Sequence, residues 1–284
     1  MLQKILGSHP EIFTTSEPWI ALSPLYGLRE EGVRAEFGHG LARRALREFL
    51  HRLPEKEAAY WDAVRLMLEH LYGRALAESG KRIFLDKTPR YHLVIPELQR
   101  VFPEAGFILL LRNPLAVLAS ILEPGDVGPD GLRQLKPDLL TAPVRLAAAL
   151  AAPAGRRQCV VRYEEFVREP EAETFSLCRD LNLSPRTEIV NYGRSETGRE
   201  RWMFGDQETV YRETRPVSTR TARWAEVLRR DRDWVRLAHG YLNELGPPLL
   251  KSLGYDAAEL ADALGPAGQD GGTLWRQVMD ERSS

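Results

Sequence analysis

Four short segments carry residue types that could do chemistry, and two of them suit the handling of a negatively charged group. The first is Phe107-Ile108-Leu109-Leu110-Leu111-Arg112-Asn113-Pro114, an apolar run followed at once by an arginine, a good helix N-cap and a proline suited to a first helical turn. That order puts Arg112 at the carboxyl end of a strand, beside a helix N-terminus. Backbone N–H groups and the helix dipole favour an anion there, and a guanidinium fork can hold a phosphate in bidentate fashion. Ser120 lies further along the same helix and can add a hydroxyl. Spacing alone equally fits an arginine that closes the strand against a carboxylate.

The second segment, Ile83-Phe84-Leu85-Asp86-Lys87-Thr88-Pro89, repeats the geometry with an ammonium in place of the guanidinium. Lys87 there can neutralise charge on a transferred group or its leaving oxygen, although a lone loop lysine also fits plain solvation. The third runs from Gly7-Ser8-His9-Pro10 to Ser16-Glu17-Pro18-Trp19, and Glu17 has the chemistry of a general base towards an acceptor hydroxyl. As an isolated residue it also fits a surface acid. The fourth, Val160-Val161-Arg162-Tyr163-Glu164-Glu165-Phe166, ends a strand with the phenol of Tyr163, which suits either the same crevice or an amphipathic place at the edge of the core.

The elements that must position these residues follow from hydrophobic spacing. Leu2, Ile5 and Leu6 repeat at helical intervals, and Gly7 to Pro10 ends the run within two turns. So short a helix is marginal at a free terminus, which suggests the tail of something longer. Helices are expected over Pro18–Leu28, Leu41–Leu50 and Glu57–Glu78, the last with Trp61, Val64, Leu68 and Leu71 along one side and Gly80 as its stop. Arg82–Leu85, Gly106–Leu111 and Cys159–Tyr163 read as strands, the second apolar enough to be buried on both faces. Between and after them, Pro89–Phe102, Pro114–Leu122, Leu139–Ala152 and Glu171–Leu181 read as helices. This alternation argues for an α/β fold: a parallel sheet between helical layers, with reactive residues at the carboxyl ends of the strands. Residues Ser184–Pro216 suggest a long functional loop, and Ser218–Leu253 a helix interrupted at Gly246-Pro247-Pro248. One domain is expected over 1–264, with a loose tail over 265–284.

Composition narrows the partners. The chain has 284 residues, of which 39 are basic and 40 acidic, for a formal net charge of -1. No global field draws it onto nucleic acid or an anionic membrane, so an anion site has to be local. Apolar runs such as Phe107–Leu111 and Leu146–Ala152 fall short of the roughly 20 residues a membrane span needs. Met1–Pro10 lacks the apolar stretch of a secretory signal, so the cytoplasm is the expected compartment. Cys159 and Cys178 have neither metal-ligand spacing nor a disulfide framework and read as buried thiols.

Taken in order, the four segments resemble the sulfotransferase family, in particular the branch of tyrosylprotein sulfotransferases and bacterial relatives. The likeness runs through the helix and His9-Pro10 turn, Glu17, Asp86-Lys87-Thr88-Pro89, Arg112 to Ser120, Arg162-Tyr163-Glu164-Glu165 with Pro170, and Arg215-Pro216-Val217 leading to Trp224, to about Tyr255. It implies an α/β architecture of the P-loop nucleotide-hydrolase kind. It also implies a co-substrate, 3′-phosphoadenosine-5′-phosphosulfate, no metal, and an acceptor hydroxyl or phenol on a small molecule or peptide. In its terms Glu17 is the base and Lys87 stabilises the sulfonate in transit. Arg112 and Ser120 grip the 3′-phosphate, and Tyr163 and Arg215 complete the donor site. Pro124 stands where some relatives have a further arginine, and Arg215 where some have lysine. Met1 falls at the family's loop-to-helix junction, so the first strand and the phosphosulfate loop, whose backbone N–H nest holds that group, are expected to be missing. The alternative is a non-catalytic protein that binds the 3′-phosphoadenosine nucleotide. A P-loop kinase would need a Gly-Lys-Ser/Thr motif, which the sequence lacks.

Overall fold

The computed structural model describes residues 1–125, 127–152, 157–194, 213–218, 221, 223–266 and 271–280. Its contacts divide the chain, expected as one domain, into two compact units, each made of two chain segments. One contains Met1–Gly106 and Cys178–Arg215; the other contains Phe107–Leu177 and Pro216–Ser284.

In the first unit the helix Leu2–Gly7 leads through the His9-Pro10 turn into β1 (Ile12–Thr14), which pairs in parallel with β2 (Ile83–Leu85). The register matches Ile12 with Ile83, Phe13 with Phe84 and Thr14 with Leu85. Three residues are too few to show a strand period, and β1 gives no signal in the sequence. The helix Glu57–Ser79 buries Trp61, Val64 and Leu68 and ends where Gly80 turns left-handed, at φ 65°. Leu71, expected on the same side, is 43% exposed. The stripe continues instead four residues after Leu68, at Tyr72, whose ring stacks on Phe84 of β2 with centroids 4.5 Å apart. Expected as one helix, the stretch after Thr88 is a 3₁₀ segment, Pro89–Val94, followed by the helix Ile95–Val101. Pro96 lacks an N–H and sits in the first turn of that second helix, where a proline is tolerated. Trp61, Val64 and Leu68 share a core with Leu25, Leu50, Val94 and Val101.

In the second unit β3 (Phe107–Leu111) pairs in parallel with β4 (Gln158–Arg162), from Phe107 opposite Gln158 to Leu111 opposite Arg162. The described strands thus form two parallel pairs, and helices supply the rest of the α/β framework. Burial of the apolar run on both faces does not hold: Leu110 and Val160 alternate outward and are exposed, while Leu109, Leu111 and Val161 are buried. The helix Pro114–Leu122 buries Leu115, Leu118, Ala119 and Leu122 against Leu237, Tyr241 and Leu245 of Arg232–Ser252. That longer helix bends at Gly246, whose φ of 73° breaks the helical path just before Pro247 and Pro248. The expected loose tail is corrected over Gly271–Met279, which is a helix. Its Trp275 is 2% exposed and stacks on Tyr241 at 5.0 Å, because an amphipathic stretch with a large aromatic gains more by covering the core than by staying solvated. No described helix is long and apolar enough to cross a membrane.

Candidate active site

Parallel pairing puts the carboxyl ends of β1 and β2 side by side. From Thr14 the chain runs three residues to Glu17, and from its partner Leu85 two residues to Lys87. Gln3 and Thr14 hold this end closed. The Gln3 amide donates to Thr14 Oγ1 at 2.9 Å and to the Thr15 carbonyl at 2.8 Å, and the Thr14 hydroxyl donates to the Leu85 carbonyl at 2.7 Å. Further out, the Trp19 N–H donates to Thr88 Oγ1 at 3.2 Å. Between these ties the Lys87 ammonium donates to Glu17 Oε1 in an ion pair. The Glu17 side chain is 8% exposed and that of Lys87 43%, so the carboxylate is held inside and the cation reaches solvent.

Asp86, directly before Lys87, is clamped from two other elements. Its Oδ2 accepts from the Tyr72 hydroxyl at 2.5 Å and from the Tyr91 hydroxyl at 2.6 Å, while Oδ1 is buried with no hydrogen-bond partner. Burial pushes the Asp86 carboxyl above its usual value, against the two phenols and the Lys87 charge, which favour the ionised form. Burial and the Asp86 charge together drive both phenols far above their ordinary range, so they remain donors. His9 serves the backbone: Nδ1 accepts from the Glu11 N–H at 3.2 Å, which leaves Nε2 to donate to the Ser184 carbonyl at 2.9 Å.

In the second unit the corresponding strand ends belong to β3 and β4. Asn113 caps the helix Pro114–Leu122 as its sequence predicts, with Oδ1 accepting from the Leu115 N–H at 2.9 Å. Its own N–H donates to Glu164 Oε1 at 2.8 Å, and Glu164 Oε2 accepts from the Tyr255 hydroxyl at 3.2 Å. Arg112 leaves β3 with its guanidinium 4.7 Å from the centre of the Tyr163 ring, a cation–π arrangement. Its Nε is buried without a hydrogen-bond partner. The neighbouring Arg162 is committed elsewhere, donating to the Leu253 carbonyl at 2.8 Å. Gly254, at φ 83°, lets that side chain pass, since a Cβ there would lie 2.3 Å from it. Ser120 is exposed, six residues along the helix from Pro114.

Of the six residues singled out in the sequence, the structure joins Glu17 with Lys87 and Arg112 with Tyr163. Arg215 is exposed at the end of the first unit's second segment, next to Thr214, whose carbonyl accepts from the Gly193 N–H at 3.0 Å. Of the long loop expected over Ser184–Pro216, residues 195–212 lie outside the described residues.

A family model described as "Sulfotransferase family" matches residues 1–188, about two thirds of the chain and the stretch that holds Glu17, Lys87, Arg112, Ser120 and Tyr163. The chain belongs to the sulfotransferase family. It is also similar to the nodulation protein NoeE of Sinorhizobium fredii, with 33% identity over 280 residues. That alignment covers 90% of the chain but 63% of the relative, so the chain spans less than two thirds of the length of the curated protein it matches. Among solved structures, the sulfotransferase domain from the curacin biosynthetic pathway superposes with a TM-score of 0.52 at 17% identity, covering 80% of this chain and 86% of that one. At that identity the likeness speaks for the fold, and it is a sulfotransferase fold.

In this sulfotransferase-family chain the charged residues stand out in the sequence, while those that hold them do not. Tyr72, Tyr91, Glu164 and Tyr255 give no signal as partners, because a phenol or carboxylate that binds another protein group carries no motif of its own. Tyr72 does leave a trace, as the i+4 continuation of the buried stripe through Leu68.

Proposed function

We propose that this chain transfers a sulfonate group from 3′-phosphoadenosine-5′-phosphosulfate to a hydroxyl or phenol of a small molecule or peptide. The observation that carries the reading is the Glu17–Lys87 ion pair at the carboxyl ends of a parallel strand pair. It places a sheltered carboxylate against an ammonium that reaches solvent, which is the pairing an in-line group transfer needs.

In this reading Glu17 accepts the proton of the acceptor hydroxyl as the acceptor oxygen forms its bond to sulfur. The bond from sulfur to the bridging phosphate oxygen breaks, and Lys87 faces the charge that collects on that oxygen as 3′,5′-adenosine bisphosphate departs. Arg112 holds the 3′-phosphate with Ser120; a buried guanidinium Nε without a partner is the kind of donor a phosphate oxygen satisfies. Tyr163 keeps Arg112 in place through its ring face, and Arg215 adds positive charge to the donor site. Positioning and charge stabilisation supply most of the rate, with no covalent enzyme intermediate.

The test is incubation with sulfur-labelled donor and libraries of hydroxyl and phenol acceptors. Label should pass to an acceptor, and transfer should disappear in Lys87→Ala and in Glu17→Ala. Transfer that survives both substitutions would remove these roles. Calorimetric binding of 3′,5′-adenosine bisphosphate that is lost in Arg112→Ala, with no acceptor ever labelled, would reassign the chain as a nucleotide-binding protein.

A further inference from the structure

We propose that Asp86, clamped by Tyr72 and Tyr91, is a positioning residue that holds Lys87 in place while Glu17 is being neutralised; the idea rests on the sulfonate-transfer reading and adds residues to it. Three elements meet at this carboxylate. Tyr72 comes from the helix Glu57–Ser79, Tyr91 from the 3₁₀ segment Pro89–Val94, and Asp86 from the end of β2. Both phenols donate to one oxygen, and the other oxygen is buried without a partner.

A purely structural acceptor would not need to be an acid. An amide oxygen also accepts two hydrogen bonds, each weaker than those to a carboxylate, and it avoids the cost of a charge held away from water. What the carboxylate adds is a fixed negative charge beside Lys87. In the resting site Lys87 is neutralised by Glu17. Once Glu17 has taken the acceptor's proton, that partner is gone at the moment when the ammonium has to stay beside the leaving oxygen. Asp86, the residue before it in the chain and fixed in place by the two phenols, is a second carboxylate to attract the ammonium when Glu17 is neutralised.

The experiment compares the full chain with Asp86→Asn, Tyr72→Phe and Tyr91→Phe. Four quantities are read: kcat, KM, affinity for 3′,5′-adenosine bisphosphate, and the rate at which an amine-directed acylating reagent labels Lys87 at fixed pH, followed by peptide mass spectrometry. A misplaced catalytic group can cost on the order of 10²-fold, so kcat should fall about a hundredfold in Asp86→Asn and about tenfold in each phenylalanine variant. KM and bisphosphate affinity should stay within about twofold, the pattern of an interaction used only in the transition state. Labelling of Lys87 should rise severalfold as the amine loses its restraint. Variants with kcat and labelling close to wild type would overturn the proposal, whatever their melting temperatures. Should the wild-type chain label no acceptor, the sulfonate-transfer reading fails, and the Lys87 labelling rates alone decide whether the clamp exists. Should Asp86→Asn not fold, the two phenylalanine variants, each lacking a single oxygen, give the answer.

Discussion

The two strand ends place their cations in different company. At the β1–β2 end the cation is matched by a carboxylate from the segment that follows the neighbouring strand, so Lys87 rests in an ion pair. At the β3–β4 end the nearby carboxylate, Glu164, is spent on the Asn113 N–H and the Tyr255 hydroxyl, and Arg112 lies against a ring instead. A cation held by a ring face keeps its charge for a ligand, whereas a cation held by a carboxylate is released when that carboxylate takes up a proton. The ring-held arrangement suits a permanent anion grip, and the carboxylate-held one suits a charge needed during one step.

The sharpest way to break the comparison is at the ion pair. Lys87→Ala and Glu17→Ala should each lower kcat by about 10²–10³-fold, the range seen when a group that stabilises transition-state charge is removed. Bisphosphate affinity measured by calorimetry should change far less. Arg112→Ala should show the reverse pattern. Loss of hydrogen bonds to a charged group, worth about 1.5–3 kcal/mol, predicts a dissociation constant raised roughly 10–150-fold. Arg112→Lys should fall between, since it keeps the charge and loses the fork and the ring stacking.

Stability measurements sharpen the contrast between the two carboxylates. Glu164→Ala leaves the Asn113 N–H without its acceptor and should lower unfolding free energy by about 1–3 kcal/mol in denaturant titrations. Asp86→Asn should move the other way at neutral pH. Burial raises the folded-state pKa of Asp86 above its unfolded value, so its favourable contribution is complete below the unfolded pKa and is lost as pH rises through the folded one. An asparagine cannot ionise and escapes that loss. Its melting temperature relative to wild type should therefore climb as pH rises from about 4, the ordinary aspartate range, and then level off. A flat difference across that range would show that the Asp86 charge costs the fold nothing. The smallest effect is expected from Asn113→Ala, about 1 kcal/mol for a lost N-cap, visible as a modest drop in melting temperature.

How much of this is legible in the sequence depends on whether a residue's role is local. Asn113 and Pro114 announce a helix start because capping is settled within three residues, and the structure has the helix where they place it. Gly80 announces a stop for the same reason. Strand β1 is invisible, since three residues have no period and its existence depends on β2, some seventy positions away. Glu17 and Lys87 are legible as two roles, while their contact follows from that unseen register. The clamp on Asp86 is beyond reach because Tyr72 is placed by helix packing and Tyr91 by a 3₁₀ turn whose residues have the pattern of an ordinary helix. The tail misleads for a related reason: Trp275 is apolar enough to matter only once Tyr241 is there to meet it.

The imidazole of His9 spans 175 positions of chain to reach the Ser184 carbonyl. During synthesis, residues 1–106 emerge long before their second segment, 178–215, exists. Until then His9 has water in place of the Ser184 carbonyl, and closing so distant a contact is slow and late. Nascent chains arrested before and after residue 184 should differ abruptly in protease resistance near the His9-Pro10 turn, and a chaperone would find its longest opportunity in that interval.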